Sequence, residues 1–282
     1  MADQKPGTPA IRERLDSVDL GALSSPTTWP PIPPDMSLDE VLSACEESPF
    51  SISPSSQLYR FNDGRQLVYK HHACTRELSM TKLAGACAIP IHARTFSNPD
   101  SDSGSGSGIQ MTGFILPLET PLPAHCSTQL TPPDLPPLIN KMISLIETLH
   151  KEHGLVHGDV KPSNMLLCSD GDLRLCDFAE ARPIDEDPES WTGDVSVNYV
   201  SPNRSYYYPD ELPAAPTVND DLYALGLSIW EVCMGMVPFA GVYHDDIIEE
   251  LKQGRTVDVD LIEGKDIRET VRYYLRLGGA DI

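Results

Sequence analysis

Positive charge is scarce in this chain: 21 lysines and arginines face 42 aspartates and glutamates, a formal net charge of −21. So acidic a protein has no broad electrostatic attraction for nucleic acid or for anionic lipid, so neither is expected as a partner. Long apolar runs are missing too. The N-terminal stretch MADQKPGTPAIRERLDSVDL lacks the apolar centre of a signal peptide. Nothing approaches the roughly 18 apolar residues that span a bilayer. The expectation is a cytoplasmic protein, with the nucleus as the alternative address, and no membrane partner. Metal-type cysteine spacing is absent: Cys45, Cys74, Cys87, Cys126, Cys168, Cys176 and Cys233 are odd in number, scattered, and contain no CxxC. That is the pattern of reduced thiols rather than of a disulfide framework or a zinc site. The one adjacent histidine pair, His71-His72, falls in a strand-like stretch, where metal binding is the minority reading. The glycines of SNPDSDSGSGSG (97–108) are followed by neither Lys-Ser/Thr nor a helix start, so they make a flexible loop and not a phosphate cradle.

What is present is an ordinary globular composition, 40% hydrophobic and 22% charged, in a chain long enough for one large domain or two lobes. Residues 1–36, rich in Pro, Ser and Thr, read as a mobile or draped arm with Trp29 and Ile32 as candidate anchors. In SLDEVLSACEES, Ser37 at an N-cap with Glu40 three places on predicts a short helix. SQLYRF and QLVYKHH flank NDGR, whose Gly64 supplies the positive φ of a hairpin turn. TRELSMTKLAGA reads as a helix. IPIHARTF and IQMTGFILPL read as strands joined through the 97–108 tip, and Pro117–Pro137 as a connector. Then the texture changes. LPPLINKMISLIETLHKEHG has apolar residues at 138, 142, 145, 146 and 149, a helical stripe that Gly154 stops. LRLCDF is a short strand, VNDDLYALGLSIWEVCMG an apolar and hence buried helix, and 244–253 and 266–277 are further helices. No internal repeat is found. The fold class predicted is α+β: a strand-rich part over 37–120 and a mainly helical part over 121–282.

Near the junction stands HGDVKPSN, residues 157–164. Phosphoryl transfer is mostly positioning and charge neutralisation. It needs an acid at the incoming hydroxyl, oxygen ligands for Mg²⁺ and a cation on the phosphates. Asp159 supplies the acid, and Asn164 with Asp177, thirteen residues further on in CDFA, the metal ligands. Lys161 supplies charge for the transferring group.

These motifs resemble those of the protein kinase family. HGDVKPSNMLL is similar to its catalytic loop H-R-D-L-K-x-x-N, and CDFA to its D-F-G metal motif. YVSPNR (199–204) is similar to the A-P-E end of its activation segment. DLYALGLSIWEV is similar to its buried central helix, whose opening aspartate, here Asp221, braces the catalytic loop. The resemblance runs over roughly 57–280 and is strongest between 140 and 235. It implies a two-lobed fold with a small antiparallel-sheet lobe, ATP and Mg²⁺ as cofactors, and a protein substrate. It makes Lys70, in QLVYK, the phosphate-holding lysine and Glu77 its ion-pair partner, and it adds Glu119 to the nucleotide-binding set. His157, Phe178 and Asp221 become supporting residues.

Departures from the family pattern keep three readings open. No Gly-x-Gly-x-x-Gly precedes Lys70; between 50 and 69 the only glycine is Gly64. A roof such as SISPSS holds its backbone further from phosphates, because side chains intervene. Ala179 replaces the glycine of D-F-G without removing a ligand, and Asn203 replaces a glutamate whose ion pair steadies the segment. Gly158 replaces an arginine that pairs with phosphorylated activation segments. The final helices read as abbreviated. The first reading is a Ser/Thr protein kinase, supported by Lys161. The second is a pseudokinase scaffold, supported by the missing glycines. The third is a small-molecule kinase of the aminoglycoside or choline phosphotransferase type, whose loops also carry HGD. Oligomeric state is left undetermined.

Overall fold

The structure, a computed structural model, describes residues 33–52, 56–97, 110–122, 134–191, 193, 196–205 and 215–282. The expectations for residues 1–32 with Trp29 and Ile32, for the tip at 98–109, for the connector at 123–133 and for Cys126 lie outside these residues, as does the middle of the roof at 53–55.

The N-terminal half builds a six-stranded sheet. It comprises β1 (Asp35–Ser37), β2 (Ser51–Ile52), β3 (Gln57–Arg60), β4 (Leu67–His71), β5 (Ala93–Phe96) and β6 (Met111–Pro117), in the order β1-β5-β6-β4-β3-β2. β3 and β4 form the expected hairpin, with Gly64 at φ 83°, and β5 and β6 pair antiparallel as the two strands of the long hairpin. β1 was not expected. Its residues Asp35 and Met36 lie in the stretch read as the arm, yet they pair in parallel with Arg94 and Thr95. A strand this short is defined by its partner and by the Asp35–Arg94 ion pair at 2.6 Å, neither of which a local pattern reveals. Helix α1 (Leu38–Ala44) has the capping box that Ser37 and Glu40 predict. Helix α2 (Thr75–Leu83) follows β4.

Strand alternation decides what each face of the sheet meets. Tyr69, Ala93 and Ile115 point to one side and pack with Val41 of α1, Phe61 and Leu67. Phe114 and Leu116 point to the other and pack with Ile89, Leu166 and Cys168. Lys70 stands directly across from Phe114 in the β4–β6 ladder, so it shares this second face, the one turned towards the C-terminal half.

That half is mainly helical: α3 (Leu135–His153), α4 (Pro202–Ser205), α5 (Val218–Met234), α6 (His244–Lys252) and α7 (Lys265–Leu277). Pro136 and Pro137 sit in the first turn of α3, where their missing N–H groups cost nothing. The predicted stripe (Leu138, Met142, Leu145, Ile146, Leu149) is buried, and Gly154 ends the helix in a left-handed conformation. These residues share one core with Leu225, Leu227, Ile229 and Trp230 of α5 and with Val271 and Leu275 of α7. α5 is buried nearly all round, as an apolar helix without a polar stripe must be. Short pairings fasten the loops on top. β7 (Thr120–Pro121), β9 (Met165–Leu167) and β10 (Leu173–Leu175) form one small sheet, and β8 (Leu155–Val156) with β11 (Arg182–Pro183) another. No helix among the described residues is long and apolar enough to cross a membrane.

Candidate active site

Lys70 is the penultimate residue of β4 and only 5% exposed. The interval to Glu77 is short, and the backbone accommodates it by a tight turn: His72 takes φ 67°, and Cys74 then caps α2, its sulfur accepting from the Glu77 N–H at 3.4 Å. The two side chains meet, with Lys70 Nζ 2.5 Å from Glu77 Oε1 and 2.7 Å from Asp177 Oδ1. One ammonium thus bridges two carboxylates contributed by distant parts of the chain. Burial disfavours the Lys70 cation, but Asp177 and Glu77 outweigh it and raise its pKa. Burial, helped by the charge of Asp177, pushes Glu77 up to about 6 against the pull of Lys70. Asp177 resists the same desolvation because Lys70 both attracts its charge and donates to it, and its pKa is lowered.

The loop at 157–164 hangs from Asp221, at the N-terminal end of α5. This carboxylate is 1% exposed, and it accepts from the backbone N–H groups of His157 at 2.7 Å and Gly158 at 2.9 Å and from His150 Nε2 at 2.8 Å. His157 then links the two motifs. Its Nε2 lies 3.0 Å from the carbonyl oxygen of Cys176, and its Nδ1 accepts from the Asp159 N–H at 3.2 Å. A carbonyl only accepts and an N–H only donates, so the neutral tautomer protonated on Nε2 satisfies both. The His157 ring also meets Phe178 edge-on at 4.8 Å, and Phe178 is fully buried next to Asp177. Asp177 takes φ 62°, a left-handed conformation that aspartate tolerates better than most residues and that is found at functional positions.

Asp159 Oδ2 accepts from Lys161 Nζ at 2.6 Å and from Asn164 Nδ2 at 2.9 Å. Its Oδ1 is buried and meets no hydrogen-bond partner among the described residues. Asn164 Nδ2 also donates to the Asp159 carbonyl at 2.9 Å. Both partners are acceptors, which fixes the amide's orientation and leaves its oxygen for another ligand. The Asp177 carboxylate and the Asn164 amide oxygen are hard donors suited to Mg²⁺, which keeps several waters and takes further oxygens from phosphates, so this donor set fits a metal-nucleotide. The buried unpartnered oxygen of Asp159 is available to a further polar group. No group of three or more His, Cys, Asp or Glu placed to hold a metal ion occurs among the described residues. The rings of His71 and His72 stack on each other at 3.8 Å.

Gly158, in the place of the family's arginine, has a structural reason. Its φ is 81°, and a Cβ there would lie 2.7 Å from the Glu180 carbonyl oxygen and 3.0 Å from Pro216 Cγ. Any side chain would have to displace backbone. With Asn203 in the place of the glutamate, residues 199–203 are held by other bonds. The Asn203 N–H donates to the Gly278 carbonyl at 3.3 Å, while Tyr199 bonds to Glu231 and Ser201 to Asp220. Burial pushes the Cys176 thiol up to about 12, so it stays protonated beside the site.

The structure thus brings together Lys70, Glu77, Asp159, Lys161, Asn164 and Asp177, supported by His157, Phe178 and Asp221. It does not bring the Glu119 carboxylate among them. That group accepts from the N–H (3.0 Å) and Oγ (3.3 Å) of Ser169, in the turn between β9 and β10. An acid next to a strand end cannot be told from sequence to face a nucleotide or a neighbouring turn. Two participants escaped the sequence reading. Ser196 Oγ accepts from Lys161 Nζ at 2.9 Å, and the only hint was its place three residues before Tyr199 in SVNYVSPNR. His150 is the other, one buried histidine in a helix, with no local sign that it faces Asp221.

The protein kinase domain family matches residues 121–272, just over half of the 282-residue chain, and the chain belongs to that family. The sheet-bearing N-terminal part and the helical C-terminal part are the two lobes of its fold. Among curated relatives, a probable serine/threonine-protein kinase PknB of Lactococcus lactis is 32% identical over 106 residues, covering 37% of this chain and 16% of the relative. The 3-phosphoinositide-dependent protein kinase 1 of Arabidopsis thaliana is 31% identical over 105 residues, 35% of this chain and 21% of the relative. Serine/threonine-protein kinase PknA of Mycobacterium tuberculosis is 38% identical over 90 residues, 31% and 20% respectively. The matched stretch is about a fifth or less of each of these relatives.

Proposed function

We propose that the chain transfers the γ-phosphoryl group of ATP to a serine or threonine hydroxyl of a protein, with lobes over 37–120 and 121–282. The observation that carries this reading is the assembled state of the site. Lys70 bridges Glu77 and Asp177 at 2.5 and 2.7 Å, while Asp159 keeps one buried carboxylate oxygen unpartnered. In this reading Asp159 Oδ1 accepts the proton of the incoming hydroxyl, or orients it. Lys161, already within reach of Asp159 and Ser196, neutralises the group in transit. Lys70, held by Glu77, faces the nucleotide phosphates. Asn164 and Asp177 would hold Mg²⁺, which supplies charge neutralisation between the phosphates. Glu119 is assigned no side-chain role at the nucleotide. The Lys161–Ser196 contact favours a protein hydroxyl over a small molecule, because it ties the charge-neutralising lysine to the segment preceding YVSPNR. A cytoplasmic site of action belongs to the same proposal.

The scaffold reading rests on one observation, the roof at 51–56 with no glycine. Titration with ATP and Mg²⁺, followed by transfer assays on mixed Ser/Thr peptides and on a panel of hydroxylated small molecules, separates the readings. Peptide phosphorylation that Asp159→Ala abolishes supports the kinase. Absence of nucleotide binding at millimolar ATP leaves the scaffold, and transfer to small molecules alone overturns the protein substrate.

A further inference from the structure

Arg76 precedes Glu77 in α2, and consecutive helical residues point about 100° apart. Glu77 turns inward to Lys70. Arg76 turns to the segment beyond Asp177, where Nη1 lies 3.0 Å from Glu186 Oε1 and Nη2 lies 2.6 Å from Glu186 Oε2. This is the two-pronged arginine–carboxylate geometry that fixes direction as well as distance. Arg76 Nη2 also reaches the Ala181 carbonyl at 3.4 Å. Glu186 is itself held on a fixed turn: its N–H donates to the Pro183 carbonyl at 3.2 Å, and its own carbonyl accepts from Arg182. The Arg182 side chain is 4% exposed and donates to the Pro216 carbonyl at 3.2 Å. Through β11, Arg182 and Pro183 pair with Val156 and Leu155, the residues that lead into His157.

We infer that the Arg76–Glu186 pair is a positioning clamp that ties α2 to the segment after Asp177 and so keeps Glu77 in reach of Lys70. The inference rests on the kinase reading for its effect on turnover, but the clamp itself does not. Both partners are side chains already in the chain, so the link forms on folding. It needs no added phosphate, and Gly158 has no side chain with which to read one. The pair sits at the surface, with Arg76 40% and Glu186 23% exposed in their side chains, so its effect is modest.

The test uses the full chain, shown by intact mass to carry no phosphate, as wild type, Arg76→Glu, Glu186→Arg and the double reversal. Amide hydrogen exchange over 75–83 and 181–191 is read alongside kcat and KM for ATP and peptide. Each single reversal is expected to speed exchange in both segments and to lower kcat about three- to tenfold, with thermal melting showing the fold retained. The double reversal should restore both. If the single reversals leave exchange unchanged, or the double reversal is no better than either, the clamp is wrong. If wild type shows no turnover, the kinase reading fails, while the exchange data still decide the clamp.

Discussion

On the helical side of the site, Asp221 holds the loop at 157–164 by two backbone N–H groups and bonds His150, and the whole assembly is drawn from residues 150–221. On the sheet side, Lys70 is held by charge-assisted hydrogen bonds between Glu77 and Asp177, the latter 107 residues away. The first arrangement is a buried hydrogen-bond network centred on one carboxylate. The second is an ion triad whose members come from a strand, a helix and a loop. The family match covers 121–272, the part that carries the first arrangement, and not the sheet. A triad asks only that one cation and two carboxylates converge, and the short Lys70–Glu77 interval meets that condition.

Perturbing each side sharpens this contrast. The largest effect is expected from Asp159→Ala, which removes the proposed base: peptide phosphorylation should fall about 10²–10⁴-fold with ATP affinity kept. A variant of near-normal rate would exclude Asp159 as the base. Next, Lys70→Met leaves two carboxylates facing each other without their cation. We expect a loss of about 3 kcal/mol in urea unfolding and at least about a hundredfold in turnover; an unchanged midpoint would show that the triad is not stabilising. Asp221→Ala orphans the His157 and Gly158 N–H groups, at about 1–3 kcal/mol each. Faster amide exchange at 157–164 should accompany that loss, and an unaltered exchange rate would count against the brace.

The smallest effect is in pH dependence, and its sign differs between the two carboxylates of α2's clamps. Glu77 is raised to about 6, so folding takes up a proton between its ordinary value of 4.5 and that value. Its contribution to stability is full at low pH and lost as pH rises through about 6, by about 2 kcal/mol at most. Glu186 is lowered, first by hydrogen bonding from Arg76. Its contribution is full above the ordinary carboxylate range and lost as pH falls through the lowered value. Melting curves from pH 4 to 8 should therefore show Glu77→Gln gaining on wild type as pH rises, and Glu186→Gln losing ground. Movement in the same direction for both would contradict the opposite shifts.

Much of this was legible beforehand, for identifiable reasons. The α3 stripe, its glycine stop, the capping box at Ser37 and the Gly64 hairpin are local patterns with local causes. HGDVKPSN and CDFA could be singled out because they resemble, at matching intervals on nearby chain, two motifs of the protein kinase family. The turn of the Glu119 carboxylate to Ser169 was not legible, because side-chain direction at a strand end depends on the neighbouring turn. β1 was hidden in the proline-rich stretch because its partner lies on β5. Arg76–Glu186, Lys161–Ser196 and His150–Asp221 each join residues 35 to 110 positions apart, and periodicity carries no information at such separations.

By itself, then, the sequence determined which groups are available and the order in which the chain presents them, since helix, turn and motif spacings are short-range properties of the backbone. Only the tertiary structure decided that Lys70 meets both Glu77 and Asp177, that Asp159 retains an unpartnered oxygen, and that Gly158 is required by the Glu180 carbonyl. Those outcomes depend on packing between segments far apart in the chain, where a shift of one residue or one rotamer separates an ion pair from two stranded charges.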